Sequence, residues 1–227
     1  MKAKIKYCGL KTPEAVRLAA KLSAWKVGLI FFEKSPRNVS LQQAGELAEL
    51  ARSLKLETVA VTVDADSETL DKIVEQVRPD MLQFHGSESP DHITAMKQRF
   101  SLPAMKAISL REVDDLAAIA LYRDVADFLL FDAKPPKGAE LPGGNGVSFD
   151  WQLLDGLAEK MNYVLSGGLS AETVGAALLA TGATYLDISS GIESAPGIKD
   201  PARMISFAEA VLRQEAAQTE LSKETVS

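Results

Sequence analysis

The chain alternates short apolar runs with longer segments in which apolar residues recur at helical spacing. The short runs are rich in β-branched and aromatic residues and return at intervals of roughly 20 to 30 residues. The continuous run Val27-Gly28-Leu29-Ile30-Phe31-Phe32 is typical of a strand that is covered on both faces of a parallel sheet. The pattern predicts strands at 4–7, 25–32, 58–63, 81–84, 104–108, 128–131, 162–165 and 184–188.

Helix starts are marked by residues whose side-chain oxygens accept hydrogen bonds from unpaired backbone N–H groups. Thr12, Ser89 and Asp200 each precede a proline at the first helical position, and Ser40 with Gln43 has the spacing of a capping box. The segments between the strands predict helices at 13–22, 41–54, 68–77, 90–99, 113–121, 151–159, 171–180 and 201–215.

The alternation of eight predicted strands with eight predicted helices indicates an α/β fold. A closed (β/α)8 barrel and a doubly wound open sheet give the same local pattern. A length of 227 residues suits one (β/α)8 barrel with short loops, so we expect a single TIM barrel over residues 1–217. Residues 218–227 lack an apolar face, which predicts a disordered tail.

Composition narrows the class of protein further. With 46% hydrophobic and 25% charged residues the chain resembles an average globular protein, and no apolar run is long enough to cross a membrane or to form a signal peptide. The single cysteine, Cys8, excludes an internal disulfide, which fits the cytoplasm. The net charge is −6 and the basic residues are scattered, so we expect no nucleic-acid partner.

Polar residues follow most of the predicted strands at their carboxyl ends, where barrel enzymes carry their active sites. In chain order they are Cys8-Gly9, Ser35-Pro36-Arg37, Asp64, His85-Gly86, Asp132, Ser166-Gly167-Gly168 and Ser189-Ser190-Gly191. The last two segments carry glycines after strands seven and eight, where backbone N–H groups and a helix dipole often bind phosphate in such barrels. Glycines also serve as simple helix-start turns, but two such loops in succession favour a phosphosugar ligand.

Two residues on this rim are candidates for acid–base chemistry. Cys8 is either a small buried hydrophobic residue or, beside Gly9 and near Lys6 or Lys11, a partly ionised thiol that acts as a base or nucleophile. Asp132 follows an apolar strand and opens the irregular stretch 133–148. That stretch is either an active-site lid, which would desolvate the carboxyl, or a tolerated surface insertion.

Arg37 and His85 are candidates for substrate binding. The Arg37 guanidinium suits a substrate carboxylate, although a solvated loop cation has the same sequence signature. His85 is either a donor to the ligand or a histidine satisfied by the backbone. The only other histidine, His92, falls on a predicted helix, so no metal site is expected.

These motifs, taken in order, resemble those of the phosphoribosylanthranilate isomerase family. They span residues 6 to about 200 and comprise Lys6-Tyr7-Cys8-Gly9-Leu10-Lys11, Phe31-Phe32-Glu33-Lys34-Ser35-Pro36-Arg37, Leu82-Gln83-Phe84-His85-Gly86, Phe131-Asp132, Gly143-Gly144-Asn145-Gly146, Phe149-Asp150-Trp151, Ser166-Gly167-Gly168-Leu169, Asp187-Ile188-Ser189-Ser190-Gly191-Ile192-Glu193 and Pro196-Gly197-Ile198-Lys199-Asp200. Each motif is weak alone, but the ordered set is specific.

The resemblance implies a phosphate-binding barrel that performs an Amadori rearrangement in tryptophan biosynthesis, without a cofactor. By the family pattern Cys8 is the general base and Asp132 the general acid. Arg37 would hold the anthranilate carboxylate, and Gly167, Gly168, Ser190 and Gly191 would hold the phosphate. The protein is expected to be a monomer or homodimer, and the roles of Asp64, Lys106 and Asp187 stay open.

Three other functions fit parts of the pattern. Indole-glycerol-phosphate synthase would call for a longer N-terminal extension and a lysine-centred site, and only Lys106 favours it. Ribulose-phosphate epimerase would call for metal-binding histidines on several strands. A phosphosugar-binding module without catalysis shares the glycine loops, but the presence of both Cys8 and Asp132 argues against it.

Overall fold

The structure is a computed structural model that describes residues 3–134, 138, 141, 143, 144, 146 and 148–224. Its centre is a sheet of eight parallel strands. The strands are β1 (Lys4–Cys8), β2 (Lys26–Phe31), β3 (Glu57–Thr62), β4 (Met81–Phe84), β5 (Ala104–Leu110), β6 (Phe128–Ala133), β7 (Val164–Leu165) and β8 (Tyr185–Ile188).

Each strand pairs with the next along the chain, and the sheet closes on itself. At the closure β8 pairs with β1, with Lys6 opposite Asp187 and Tyr7 opposite Ile188. The sheet is therefore the closed barrel that the length predicts, and the doubly wound open sheet is excluded.

Within the part of the chain that the structure describes there are seven α-helices, of which six lie between strands of the barrel and the seventh follows them. They are α1 (Pro13–Lys21), α2 (Leu41–Ser53), α3 (Ser67–Val77), α4 (Pro90–Phe100), α5 (Ala118–Tyr122), α6 (Val174–Thr181) and α7 (Pro201–Glu224). The predicted N-caps are confirmed: Thr12 Oγ1 accepts from the Ala15 N–H at 3.2 Å, and Ser89 Oγ accepts from the His92 N–H at 3.2 Å. Ser40 also caps α2, but the Gln43 side chain donates to the Lys11 carbonyl at 2.8 Å, so the predicted capping box is not formed.

Three predicted helices differ in the structure. The segment 151–159 contains only a 3-10 turn, Trp151–Leu154, because Asp155 is extended and Gly156 adopts a φ of +66° that cannot continue a helix. The segment 113–121 begins as a 3-10 turn, Val113–Ala117, before α5. Finally, α7 continues to Glu224 where a disordered tail was expected from residue 218, since the end of the chain is rich in good helix formers.

The two faces of the strands contribute to two separate apolar clusters. The larger cluster joins the outward faces of the strands to the helices. The smaller cluster fills the barrel interior with Cys8, Val59, Val61, Met81, Met105, Ala107, Leu130 and Val164. Because side chains alternate along a strand, Lys6, Asp132 and Asp187 share the interior face with Cys8, Leu130 and Tyr185, respectively.

A short hairpin follows β8 and was not predicted. It comprises a 3-10 turn at Ser190–Ile192 and two antiparallel strands, β9 (Glu193–Ala195) and β10 (Ile198–Lys199). It brings Glu193 and Lys199 back to the carboxyl-end rim, where their side chains are 2.8 Å apart.

Candidate active site

A cavity of about 760 Å³, including its open mouth, lies at the carboxyl ends of the strands. This size falls within the range of small-molecule sites. Seven of the eight predicted site residues line it: Cys8, Arg37, His85, Asp132, Gly167, Gly168 and Ser190. Among the described residues, Gly191 is the predicted site position that does not line the cavity.

Cys8 ends β1 with its side chain in the cavity, although the residue is only 5% exposed. Burial and the Asp187 carboxylate raise the pKa of the Cys8 thiol, against the lowering influence of Lys6 and Lys199. Burial and Asp187 thus act against the partly ionised thiol that was one of the two readings of Cys8. Lys11, one of the two cations expected near it, instead donates to the Pro36 carbonyl at 2.9 Å.

Space beside the sulfur is provided by Gly28 on the neighbouring strand. A Cβ atom built on Gly28 would lie 2.7 Å from Cys8 Sγ and 3.1 Å from Lys6 Nζ. Because carbon and sulfur normally approach no closer than about 3.5 Å, only glycine leaves the sulfur in this position.

Asp132 and His85 face each other on the opposite side of the interior. The Asp132 Oδ1 atom accepts from the Ala133 N–H at 2.9 Å, and Oδ2 lies 3.4 Å from His85 Nε2. The Gln83 side-chain nitrogen lies 2.9 Å from His85 Nδ1, and this amide orientation makes Nδ1 the acceptor and leaves the ring proton on Nε2, which makes no hydrogen bond to a described group. Gly143 covers this pair, since a Cβ there would lie 2.6 Å from both Oδ2 and Nε2.

Arg37 is held in a buried cluster of charges at the rim. Its Nε and Nη2 atoms donate to Glu193 Oε1 and Oε2 at 2.7 and 2.8 Å, and Nη2 also lies 3.3 Å from the Gly144 carbonyl. Arg37 is only 4% exposed, so the reading as a solvated loop cation is wrong. Lys199 binds the same carboxylate at 2.8 Å, and burial lowers the pKa of Lys199 to about 8.

The two glycine loops meet at the cavity wall. Gly167 and Gly168 have φ values of +83° and +67°, which glycine adopts without strain, and their N–H groups donate to no described protein group. Gly191 packs directly against the Leu169 carbonyl, so the loops after β7 and β8 are in backbone contact. In the first loop, Ser170 Oγ accepts from the Glu172 N–H at 3.2 Å before α6 begins at Val174.

Two residues without an assigned role support the loop that follows β4. Lys106 points outward from the barrel, where it binds Glu88 at 2.8 Å and the Gly86 carbonyl at 2.5 Å. Asp64 accepts from the Ser87 N–H at 2.6 Å. Lys106 does not line the cavity, so a lysine-centred site built on it is excluded.

Half of the stretch 133–148, predicted as a lid or a surface insertion, lies outside the described residues, as does Asn145 of its glycine motif. Of its described members, Ala133, Leu141, Gly143, Gly144 and Gly146 line the cavity.

The sequence model of the N-(5'-phosphoribosyl)anthranilate (PRA) isomerase family matches residues 5–210. The chain belongs to this family. A curated phosphoribosylanthranilate isomerase of Sinorhizobium fredii is 53% identical over 99% of this chain and 100% of its own length. A relative with the same name from Brucella canis is 56% identical over 91% of this chain and 93% of its own length.

Solved phosphoribosylanthranilate isomerases share the fold. The enzyme of Thermotoga maritima matches with a TM-score of 0.82 at 27% identity, covering 92% of this chain and 98% of its own. Another solved member of the family, in complex with reduced 1-(o-carboxyphenylamino)-1-deoxyribulose 5-phosphate, matches with a TM-score of 0.78 at 25% identity over the same shares. The resemblance drawn from the motifs is confirmed. Among the helices that the structure describes, none is long and apolar enough to cross a membrane.

Proposed function

We propose that Cys8 is the general base and Asp132 the general acid of the reaction that defines this family. The protein is a phosphoribosylanthranilate isomerase of tryptophan biosynthesis. It converts N-(5-phosphoribosyl)anthranilate into 1-(2-carboxyphenylamino)-1-deoxyribulose 5-phosphate by an Amadori rearrangement. The observation that carries the assignment is that both residues line one cavity together with the two glycine loops.

The acid and the base act on different atoms of the sugar. Protonated Asp132 donates to the furanose ring oxygen, the C1–O bond breaks, and the anthranilate nitrogen lone pair forms a C1=N Schiff-base cation. The Cys8 thiolate then removes the C2 proton, and the electrons of that bond form a C1=C2 enolamine. Protonation at C1 and loss of the hydroxyl proton on C2 give the ketone. Electrons move only within the substrate, so the reaction as written needs no cofactor.

His85 is placed to assist the acid. Its Nε2 atom lies 3.4 Å from Asp132 Oδ2 without a hydrogen bond to it, so the imidazole offers a donor to a sugar oxygen bound between the two side chains. This geometry favours the ligand-facing reading of His85 over a histidine satisfied by backbone.

Arg37 would bind the anthranilate carboxylate through its Nη1 side. Glu193 already occupies Nε and one hydrogen of Nη2, which fixes the guanidinium plane. The backbone of Gly144 lies close to Nη1, since a Cβ atom added to Gly144 would be only 2.7 Å from it. A bound carboxylate would displace this contact. A fixed, buried cation loses little side-chain entropy on binding, which strengthens recognition of an anion.

The phosphate would sit between the loops that carry Gly167, Gly168, Ser190 and Gly191. The N–H groups of Gly167 and Gly168, which donate to no described protein group, support this proposal, since such donors are suited to an anion. Gly191 contributes by allowing the second loop to approach the first.

The test is the loss of substrate fluorescence when purified protein is added to phosphoribosylanthranilate. We expect Cys8→Ser and Asp132→Asn each to lower kcat by at least about a hundredfold, the scale of one general acid or base. Full activity in either variant would reassign that role. Arg37→Ala should mainly raise KM, and an unchanged KM would remove Arg37 from the carboxylate site.

Three finer assignments are also proposed: a single barrel unit, a cytoplasmic location, and a monomeric or homodimeric state. Sedimentation of the purified chain measures the last of these, and a larger assembly would contradict it.

A further inference from the structure

A buried ion pair lies beside Cys8 inside the barrel. Lys6 is fully buried on β1, and its Nζ atom lies 2.8 Å from Asp187 Oδ1 on β8. Fully buried lysines are rare in proteins because an ammonium loses its hydration there. The acid–base steps described above use neither residue.

The ammonium of Lys6 is close to the sulfur of Cys8. The Cβ position of Gly28 is 2.7 Å from Sγ and 3.1 Å from Nζ, so the two atoms are at most 5.8 Å apart, the sum of these distances. Cys8 and Lys6 are also two positions apart on one strand, which directs both side chains to the interior. The ammonium of Lys6 therefore lies next to the sulfur atom of Cys8, which must act as a base.

The charged groups around Cys8 act on it in opposite directions. Lys6 and Lys199 lower the pKa of the thiol, while Asp187 raises it. His85, Arg37 and Asp132 line the same cavity on its other sides.

Lys6 is not itself a suitable base. Burial lowers its pKa, but the negative charges of Asp187 and Cys8 outweigh burial and raise it above the usual value. An amine that holds its proton this strongly cannot accept one from a substrate carbon at neutral pH. It can act only as a cation.

We propose that Lys6 is the counter-ion of the Cys8 thiolate and that Asp187 is a positioning residue that fixes the ammonium beside the sulfur. The inference rests on the proposed function, in which Cys8 is the base. The thiol proton leaves to solvent through the cavity, and Lys6 keeps its own proton. The thiolate then accepts the C2 proton, and the electrons of the C–H bond remain on the substrate. The attraction between ammonium and thiolate lowers the free energy of the ionised enzyme in a site with little water.

The ionisation of Cys8 can be measured without substrate, because it is the only cysteine of the chain. Iodoacetamide reacts with thiolates, so the alkylation rate across a pH series, followed by intact mass, reports the pKa of this thiol alone. Lys6→Gln removes the charge and keeps a hydrogen-bond donor for Asp187. At any pH below the thiol pKa, we expect its alkylation rate to fall by at least about tenfold, the equivalent of one pKa unit.

Lys26→Gln is the matched control. Lys26 lies opposite Lys6 in the register of β1 and β2, is 5% exposed, and is paired with Glu57. The same substitution there should leave the alkylation rate at the wild-type value. A wild-type rate in Lys6→Gln, or an equal loss in both variants, would overturn the counter-ion role.

If Lys6→Gln does not fold, titration of the wild-type protein by NMR decides the question. The Lys6 Cε signal should shift at the pH at which Cys8 ionises, while the amine stays protonated. Loss of the Lys6 proton before Cys8 ionises, or no response of Lys6, would contradict the proposal.

Turnover separates this proposal from the proposed function. Lys6→Gln should lower kcat by about the same factor by which it lowers the alkylation rate, and it should leave KM unchanged. A merely structural role of Lys6 would not link kcat to the alkylation rate. A normal kcat together with slow alkylation would show that Cys8 is not the base. In that case the proposed function fails while the counter-ion role remains.

Discussion

Gly28→Ala adds one methyl group beside the sulfur of Cys8 and changes no charge. Gly28 lies in a regular β-strand, so alanine fits the backbone there. The new Cβ would lie 2.7 Å from Sγ, roughly 1 Å inside the normal contact distance. Either the sulfur moves by about that amount or β1 and β2 separate.

The cost of this change can be estimated for both stability and catalysis. Overpacking of a core by one methyl group lowers the free energy of unfolding by about 1 to 3 kcal/mol. A misplacement of about 1 Å at a reacting group lowers kcat by about a hundredfold, which corresponds to about 2.7 kcal/mol in the activation barrier. We therefore expect a protein that still folds but turns over substrate about a hundredfold more slowly.

The assay is the decay of substrate fluorescence, with urea unfolding of the same samples. Gly175→Ala on α6 is the matched control, since its Cβ would meet only the flexible Gln214 side chain at 3.3 Å. In the control, helix propensity should add about 0.5 to 1 kcal/mol of stability and kcat should not change. Wild-type kcat in Gly28→Ala would refute the requirement for Sγ at its observed position.

Three further predictions concern buried charges. Glu193→Gln removes the negative charge that Arg37 and Lys199 share, and it should lower the free energy of unfolding, measured in urea, by about 3 kcal/mol. A change near zero would contradict a stabilising role for this charge cluster. Burial lowers the pKa of Lys199 from 10.5 to about 8. Between pH 8 and pH 10.5 the unfolded chain therefore binds more protons than the folded protein. The free energy of unfolding should rise with pH over this range, by at most about 1.4 kcal/mol per pH unit. Lys199→Met should lack this rise, and an equal slope in both proteins would refute the assigned pKa. Lys106→Met leaves Glu88 buried without its cation and should cost about 3 kcal/mol of stability, with a smaller loss of kcat than Cys8→Ser.

The barrel could be predicted because its signals are local. Each strand–helix unit has its own apolar run, cap and turn, and parallel strands place all carboxyl ends on one rim. Seven of the eight predicted site residues consequently line one cavity. The failed helix at 151–159 shows the limit of this reasoning, since apolar spacing continues there while Gly156 turns the backbone away.

The charges within the site could not be predicted in the same way. Arg37 and Glu193 are 156 positions apart in the chain, and their pairing depends on a hairpin that the sequence pattern did not reveal. One reading of Cys8 was a partly ionised thiol, because lysines are near it in sequence. Burial and the Asp187 carboxylate, which come from the folded barrel, act against that ionisation and raise the pKa of the thiol. The alternation of strand residues did offer one usable signal, because it directs Lys6 to the same side as Cys8.

The ion pair between Lys6 and Asp187 links the first strand of the barrel to the last strand of the barrel along the chain. Until β8 has emerged, Lys6 lacks its Asp187 partner, and we expect Cys8 to be exposed to solvent. The sulfur is therefore most open to oxidants during synthesis and best protected once the barrel closes. Pulse alkylation of ribosome-bound chains should label Cys8 readily in chains that stop before β8 and slowly in released protein, and equal labelling would argue that the barrel interior forms without its last strand.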